Sequence, residues 1–291
     1  MSLVVVHPGP LTLVQDDGRP GLAAQGVGAA GAFDRRALHQ ARTLVGDASG
    51  TAVLEVLGGG LELRATSEHV VAVTGAVGPV LVDGAPVEHG RAVRLGAGQH
   101  LEVAPFGHGL RGYVAVAGGI DVPAVLGSRS ADTLSRLGPP ALTTGDEIAV
   151  GEPHQDPPDV GLVPSLLTPG TTTVEVVLGP RDDWFTPDAL AAFLGTGWVV
   201  SERSDRIGVR LDGPTPGRAG LERAVDGELP SEPCVRGSVQ VTSAGLPVVL
   251  GPDHPVTGGY PVIGVVTGRG LDRLAQVRVG ETVRFRRHTL P

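Results

Sequence analysis

The sequence predicts a mainly β protein with a few short helices, folded as two tandem β-barrel-like domains. Three observations carry that expectation. Glycine and proline recur throughout the 291 residues, 45 and 25 of them, and cut the chain into short runs. Those runs are rich in valine and leucine while aromatics reach only 3%, so aliphatic side chains must build the core. Both halves run strand, one helix, then a strand series, which points to two related barrels and not to an array of short repeats.

The chain opens with two short strands, Leu3–Val6 and Leu11–Val14, around His7-Pro8-Gly9-Pro10. Asp16, Asp17 and Arg19, packed with Gly18, Pro20 and Gly21, then form a structured polar turn. Its expected role is architectural, with Arg19 and Asp34 holding the following glycine bend and Arg19 serving as a carboxylate's partner. Phe33–Val45 is the helix of this half. Ala37, Leu38, Ala41, Leu44 and Val45 recur at three- and four-residue intervals, with Asp34 near the start and Gly46 at the end. Gly26, Gly28 and Gly31 spell G-x-G-x-x-G, but a dinucleotide site needs a strand feeding directly into the first glycine. Here a polar turn intervenes and no βαβ alternation follows.

Strands are expected at Ala52–Leu57, Leu61–Arg64, His69–Val73, Pro79–Val82, Arg91–Leu95, His100–Ala104 and Arg111–Ala117. Asp83-Gly84 marks a tight hairpin, because both residues tolerate positive φ. Ile120–Leu126 and Gly127–Asp132 close a first domain, residues 1–155. The proline-rich residues 156–170 read as a linker, and 171–291 as the second domain. That domain restarts with Thr173–Leu178 and a short helix, Pro187–Leu194, capped by Thr186. Trp198–Ser201, Ile207–Leu211, Ser238–Val241, Pro247–Leu250, Val262–Thr267, Gln276–Val279 and Thr282–Arg286 follow as strands.

Composition removes several function classes. The formal charge is −8 with no basic run, which argues against nucleic acid as a partner. Every basic side chain apart from histidine is an arginine, so lysine-dependent covalent chemistry is excluded. Cys234 is the single cysteine and pairs with no other in this chain; with no leader-like N-terminus, a cytoplasmic location is expected. Apolar runs are broken too early to span a membrane. The nine histidines show no metal-ligand spacing, so no metal is expected.

Three constellations could carry chemistry, all in the second half. In Ser204–Leu211, alternation puts Arg206, Gly208 and Arg210 on one face, an arrangement that suits an anionic ligand lying against backbone. The same pattern also suits two arginines paired to carboxylates on neighbouring strands. In Pro252–Pro261, Gly258 and Gly259 precede Tyr260 and would let consecutive N–H groups form an anion-binding concavity, with Asp253 and His254 upstream to move a proton. A hairpin loop with solvated charges would leave the same trace. In Ser238–Val241, valines facing the core would turn Gln240 outward, where its amide can read a cyclic amide. The candidate substrate-binding residues are therefore Arg206, Arg210, Gln240, Gly258 and Gly259; the candidate catalytic residues are Tyr260 and Asp253.

The ordered motifs QDDGRPG, GVGAAGAFDRRAL, ARTLVG, AVLEV, GYVAVAGGIDVPAVLGSRS, SDRIGVRL, SVQV and TGGYPVIGVV together resemble the family of 5-oxoprolinase C subunits. That family is also known as allophanate hydrolase subunit 2 or KipA-like, within the biotin-dependent carboxyltransferases. Two positions depart from its pattern, Asp47 where asparagine is common and Val262 where a basic residue often follows Tyr-Pro. The resemblance implies tandem cyclophilin-like barrels and partners resembling the A and B subunits of that enzyme. With them the complex would hydrolyse 5-oxo-L-proline to L-glutamate using ATP, whose site in this chain is unassigned. It also implies two alternatives: a carboxyltransferase-type component related to urea carboxylase, or a non-catalytic regulator that binds a KipI-like protein.

Overall fold

The structure, a computed structural model, describes residues 1–47, 50–153, 161–165, 167, 170–213 and 220–289. Most of the expected linker, 156–160, 166, 168 and 169, lies outside the described residues. The chain forms two compact units. The first comprises Met1–Arg19, Ala30–Asp132 and Arg136–Leu167; the second comprises Pro20–Ala29, Thr133–Ser135 and Thr168–Pro291. Among the described residues, mostly β structure with three short α-helices bears out the expected fold class.

The first unit is built from two antiparallel sheets. One is six-stranded, in the order Glu147–Ala149, Ser2–Pro8, Leu61–Ala65, His100–Val103, Val80–Val82, Ala85–Val87. The other is five-stranded, in the order Leu11–Gln15, Val53–Leu57, His108–Val116, His69–Val77, Ala92–Leu95. Alternation decides what each face buries. Val71, Val73, Val114 and Val116 meet Leu3, Val5, Leu61 and Leu63 of the other sheet. The intervening Ala72, Tyr113 and Ala115 face the opposite way, onto helix α1 (Arg35–Leu44), through Ala37, Leu38, Ala41 and Leu44. Asp34 caps this helix by accepting from the Ala37 N–H at 2.9 Å. The hairpin at Val82–Ala85 forms as expected, with Asp83 and Gly84 both at positive φ.

The polar turn departs from expectation. The Asp16 carboxylate is held by the Gly18 N–H, the Ser128 and Ser130 hydroxyls and the Arg129 N–H. Asp17 pairs with Arg42 of α1 at 2.9 Å. Among the described residues Arg19 therefore partners no carboxylate: its Nε donates to the Val125 carbonyl at 3.3 Å and its Nη2 to the Ser130 carbonyl. The reason is local. Gly18, at φ +85°, lets Asp16 fold back on its own loop and turns Arg19 under residues 125–130.

The second unit holds a closed seven-stranded barrel. Its order is Thr172–Leu178, Val262–Val266, Ser238–Val241, Pro247–Leu250, Gly208–Asp212, Gly197–Val200, Thr282–Arg287. The last strand closes onto the first through a parallel pairing, Thr172 opposite Val283. Helix α2 (Pro187–Gly195) is capped by Thr186 and buries Phe193 against Phe285, ring centroids 4.4 Å apart. Helix α3 (Gly268–Leu274) is absent from the expected elements, and Gln276–Val279 is not a strand. Among the described residues no helix is long and apolar enough to cross a membrane.

One buried cluster fixes where α1 begins. The Tyr113 hydroxyl accepts from the Asp34 N–H at 2.7 Å and donates to Glu55 Oε2 at 2.7 Å, while the Phe33 N–H also reaches Glu55 at 2.8 Å. Arg111 lies 3.8 Å from Glu55 and stacks over the Phe33 ring. Burial, then the charges of Glu55 and Asp34, push the Tyr113 phenol well above its usual range, so it serves as a neutral bridge. Tyr113→Phe keeps the ring and removes both bonds. The expected cost is about 1–3 kcal/mol, read as a lower denaturant midpoint at unchanged slope.

Candidate functional site

The second unit brings the expected site residues into two clusters. The first grows from the ladder between Gly208–Asp212 and Pro247–Leu250, which sets Gly208 opposite Leu250. Two further backbone bonds extend it, Gly251 N–H to Ile207 and Asp253 N–H to Arg206, at 2.8 and 3.1 Å. Arg206 and Asp253 thus face each other and form a two-pronged pair, Nε to Oδ2 and Nη2 to Oδ1, each 2.9 Å. Thr133 adds its N–H and hydroxyl to Oδ2 at 2.9 and 2.7 Å. Both members of the pair are buried. Asp253 is held as an acceptor by Arg206 and Thr133 together, and this geometry makes it an anchor for its segment.

This corrects the expected Arg206–Arg210 face. Arg206 precedes the strand: Asp205 Oδ1 accepts from the N–H groups of Ile207 and Gly208 at 2.8 and 3.0 Å, and this turn breaks the alternation. Gly208 is no gap for a ligand either, because a Cβ there would lie 2.9 Å from the Val248 side chain.

Register groups Arg210 with Gln240 instead. Arg210 and Gln240 both stand opposite Val248, from the strands on either side of it. The neighbouring row, Val209, Val249 and Val239, is fully buried and faces the barrel interior. Arg210, Val248 and Gln240 therefore share the outer wall, with the first and last about 10 Å apart at two strand spacings. Arg210 is exposed, whereas Gln240 is only 7% exposed.

What covers Gln240 is the second cluster. Glu232–Pro233 pairs with Thr257–Gly258, and the Cys234 N–H continues this ladder to the Val256 carbonyl at 2.9 Å. The Gln240 Nε2 donates to Cys234 Sγ at 3.5 Å. A Cβ on Gly258 would lie 2.3 Å from that nitrogen and 3.1 Å from the sulfur. Room for the carboxamide is thus what glycine supplies here. Neither Gly258 nor Gly259 has a positive φ, so the expected concavity of consecutive N–H groups is not formed. Burial, then the charge of Glu232, raise the Cys234 thiol, which is not a poised thiolate. Glu232 is itself held by Arg181, whose Nε lies 3.1 Å from both carboxylate oxygens. Tyr260, 44% exposed, stands two residues beyond Gly258 at the rim of this cluster.

Thr133, Cys234 and the Arg181–Glu232 pair belong to this site without any mark in the sequence pattern. Thr133 lies 120 positions from Asp253, and no local spacing signals that contact.

A paired-sheet unit with a closed-barrel unit, and polar side chains lined along the barrel's outer wall, defines a two-unit protein of the β-barrel class. The chain belongs to the carboxyltransferase domain family, subdomain A and B, whose family model matches residues 25–287. It is 35% identical over 286 residues to the 5-oxoprolinase C subunit of Escherichia coli strain K12, covering 97% of this chain and 90% of that one. It is 30% identical over 304 residues to urea amidolyase of Lachancea kluyveri, covering 97% of this chain but 16% of that one. The crystal structure of Kluyveromyces lactis urea carboxylase superposes with a TM-score of 0.87 at 29% identity, over 98% of this chain and 27% of that one.

Two substitutions separate support from recognition. Asp253→Asn is expected to cost about 3–5 kcal/mol, because it replaces one side of a buried, two-pronged ion pair by a neutral amide. Gly258→Ala should leave the melting temperature within a few degrees while displacing the Gln240 carboxamide. Amide chemical shifts around Cys234 and Gln240 would report that displacement, and unchanged shifts would contradict the packing.

Proposed function

We propose that this chain is the C subunit of an ATP-dependent 5-oxoprolinase, acting with partners like the A and B subunits of that enzyme to open 5-oxo-L-proline to L-glutamate. The supporting observation is the 35% identity to a 5-oxoprolinase C subunit, which extends over 90% of that relative. In this reading the chain is inactive alone.

Opening a five-membered lactam means binding a carboxylate, reading an amide and stabilising negative charge as the ring C–N bond breaks. The outer wall supplies candidates in that order. Exposed Arg210 would hold the substrate carboxylate. The Gln240 carboxamide would read the lactam, in the space that Gly258 leaves, with Gly259 continuing that backbone wall. The Tyr260 hydroxyl at the rim would donate to the developing charge. Arg206 and Asp253 would fix the segment that carries Gly258 and Tyr260. ATP supplies activation of the lactam oxygen when bound to the complex. This chain has neither lysine nor a phosphate-binding loop motif, so we assign none of its residues to the triphosphate.

A second reading, a carboxyltransferase-type component acting on urea, is favoured by the superposition on urea carboxylase. A non-catalytic regulator that only binds a KipI-like protein is the third. ATP-dependent glutamate release by the purified chain combined with its partners separates them. The first reading expects release only from the full combination, the second expects urea-dependent carboxylation with a biotin carrier, and the third expects neither.

In the active combination, Tyr260→Phe should lower turnover about 10²-fold with normal folding. Arg210→Ala should mainly raise KM for 5-oxoproline. Wild-type kinetics from both variants would move the reaction away from this wall.

A further inference from the structure

A carboxamide that reads a ligand must be reachable, and Gln240 is not. It shares the barrel's outer wall with the exposed Arg210, yet it is itself buried. The cause is the cover formed by Cys234 and by the ladder between Glu232–Pro233 and Thr257–Gly258. A Cβ on Gly259 would lie 3.4 Å from the Leu229 carbonyl, so the chain leading into the cover also lies against this wall.

The two strands of the cover are held by unlike means. Thr257–Gly258 follows Asp253, whose pair with Arg206 is buried. Glu232 is tied by Arg181, and that pair is open to water, its side chains 36% and 28% exposed. Arg181 itself belongs to the wall: its N–H donates to the Val262 carbonyl at 2.9 Å, and Val262 stands opposite Gln240. Its guanidinium therefore reaches from the barrel to the covering strand. The chain before that strand has few other ties. The Ala224 N–H donates to the Trp184 carbonyl at 2.8 Å and Arg223 Nη2 to the Val241 carbonyl at 3.0 Å. Residues 225–231 then make no hydrogen bond among the described residues, and all but Leu229 are exposed. Beyond Cys234 the chain is fixed again, with the Gly237 N–H on the Leu250 carbonyl at 2.8 Å. An ion pair half in water contributes little and parts readily, whereas a buried one resists separation.

We propose that residues 225–234 form a flap over Gln240 and that Arg181–Glu232 is its latch, a small cyclic amide reaching the Gln240 carboxamide only while that pair is parted. Opening breaks the two-residue ladder and the weak bond from Gln240 to the Cys234 sulfur. The Asp253 side of the cover stays in place, because its anchor is the buried pair. The inference rests on the proposed function for the nature of the ligand; the flap and its latch are properties of the second unit alone.

Cys234 reports the opening, since it is the single cysteine of the chain and is buried under the same strand. The test is the rate of its alkylation by iodoacetamide in the full chain, followed by intact mass over a series of urea concentrations. A flap gives a rate that stays level below the unfolding transition, because a local opening exposes little surface. Arg181→Gln should raise that rate about fivefold, the upper end for a partly exposed pair. The charge effect runs the other way: without Arg181, Glu232 stands uncompensated near the thiol, which raises it further and slows alkylation. A faster reaction with a level urea profile can therefore come only from local opening. Should Arg181→Gln not fold, the urea profile of the unaltered chain still decides. A rate that climbs from the first addition of urea in step with global unfolding would overturn the flap, as would an Arg181→Gln rate no higher than that of the unaltered chain. Glutamate release has no part in this readout, so the flap and the proposed function stand or fall separately.

Discussion

The barrel of the second unit is set by one row of valines. Val209, Val249 and Val239 stand opposite one another across three neighbouring strands and all face the interior. With a period of two, that row sends Arg210, Val248 and Gln240 to the outer wall. Sliding either outer strand of the three by one residue would bring a guanidinium or a carboxamide into an aliphatic interior with nothing to bond, a cost of several kcal/mol. The polar alignment on the outside is therefore a consequence of apolar packing on the inside. The short Glu232–Pro233 and Thr257–Gly258 ladder lies over that wall, and it does so only because position 258 has no side chain.

Loops are located by a different force. The chain is poor in aromatics and rich in glycine, so ordering its loops is entropically costly and large apolar anchors are scarce. Buried carboxylates take over that task. Asp16 gathers hydroxyl and N–H donors from Ser128, Arg129 and Ser130, more than a hundred residues away. Glu55 holds Phe33 and Tyr113 at the start of α1. Asp253 takes a full guanidinium fork and both donors of Thr133. Bonds to a charged acceptor are shorter and stronger than neutral ones, and removing one such carboxylate takes the acceptor from several buried donors at once. Such anchors matter more as locks on a single arrangement than as net stability.

What the sequence makes legible follows from these two forces. Periodicity and punctuation locate α1, α2, the Asp83-Gly84 hairpin and most strands to within a few residues, because they reflect burial on one face. The valines of Ser238–Val241 correctly turn Gln240 outward for the same reason. Helix α3 is hidden by Gly268 and Gly270, which weaken its propensity; Gly270 is there because a Cβ would lie 2.7 Å from the Val266 side chain. Gln276–Val279 has the composition of a strand, yet Val277 is buried just beyond that helix. Arg206 escapes the alternation because a single carboxylate, Asp205, folds the preceding residues out of the ladder. Long-range partners such as Thr133 with Asp253 leave no local trace at all.

Two glutamines differ in a way that bears on what each can do. Gln15 gives its Nε2 to a carbonyl oxygen at 3.0 Å, a firm anchor in a fully buried place. Gln240 gives its Nε2 to a sulfur at 3.5 Å, a weak acceptor, in the cluster whose rim carries the exposed Tyr260. A firmly held amide fixes its own stretch of backbone, because releasing it would leave buried polar atoms unanswered. A loosely held amide can shift as charge develops on its ligand, so its bond can be stronger in the transition state than in the ground state. The Gln15 carboxamide near Ala131 thus holds structure while the one near Cys234 keeps slack, and the difference follows from which atom each was given to lean on.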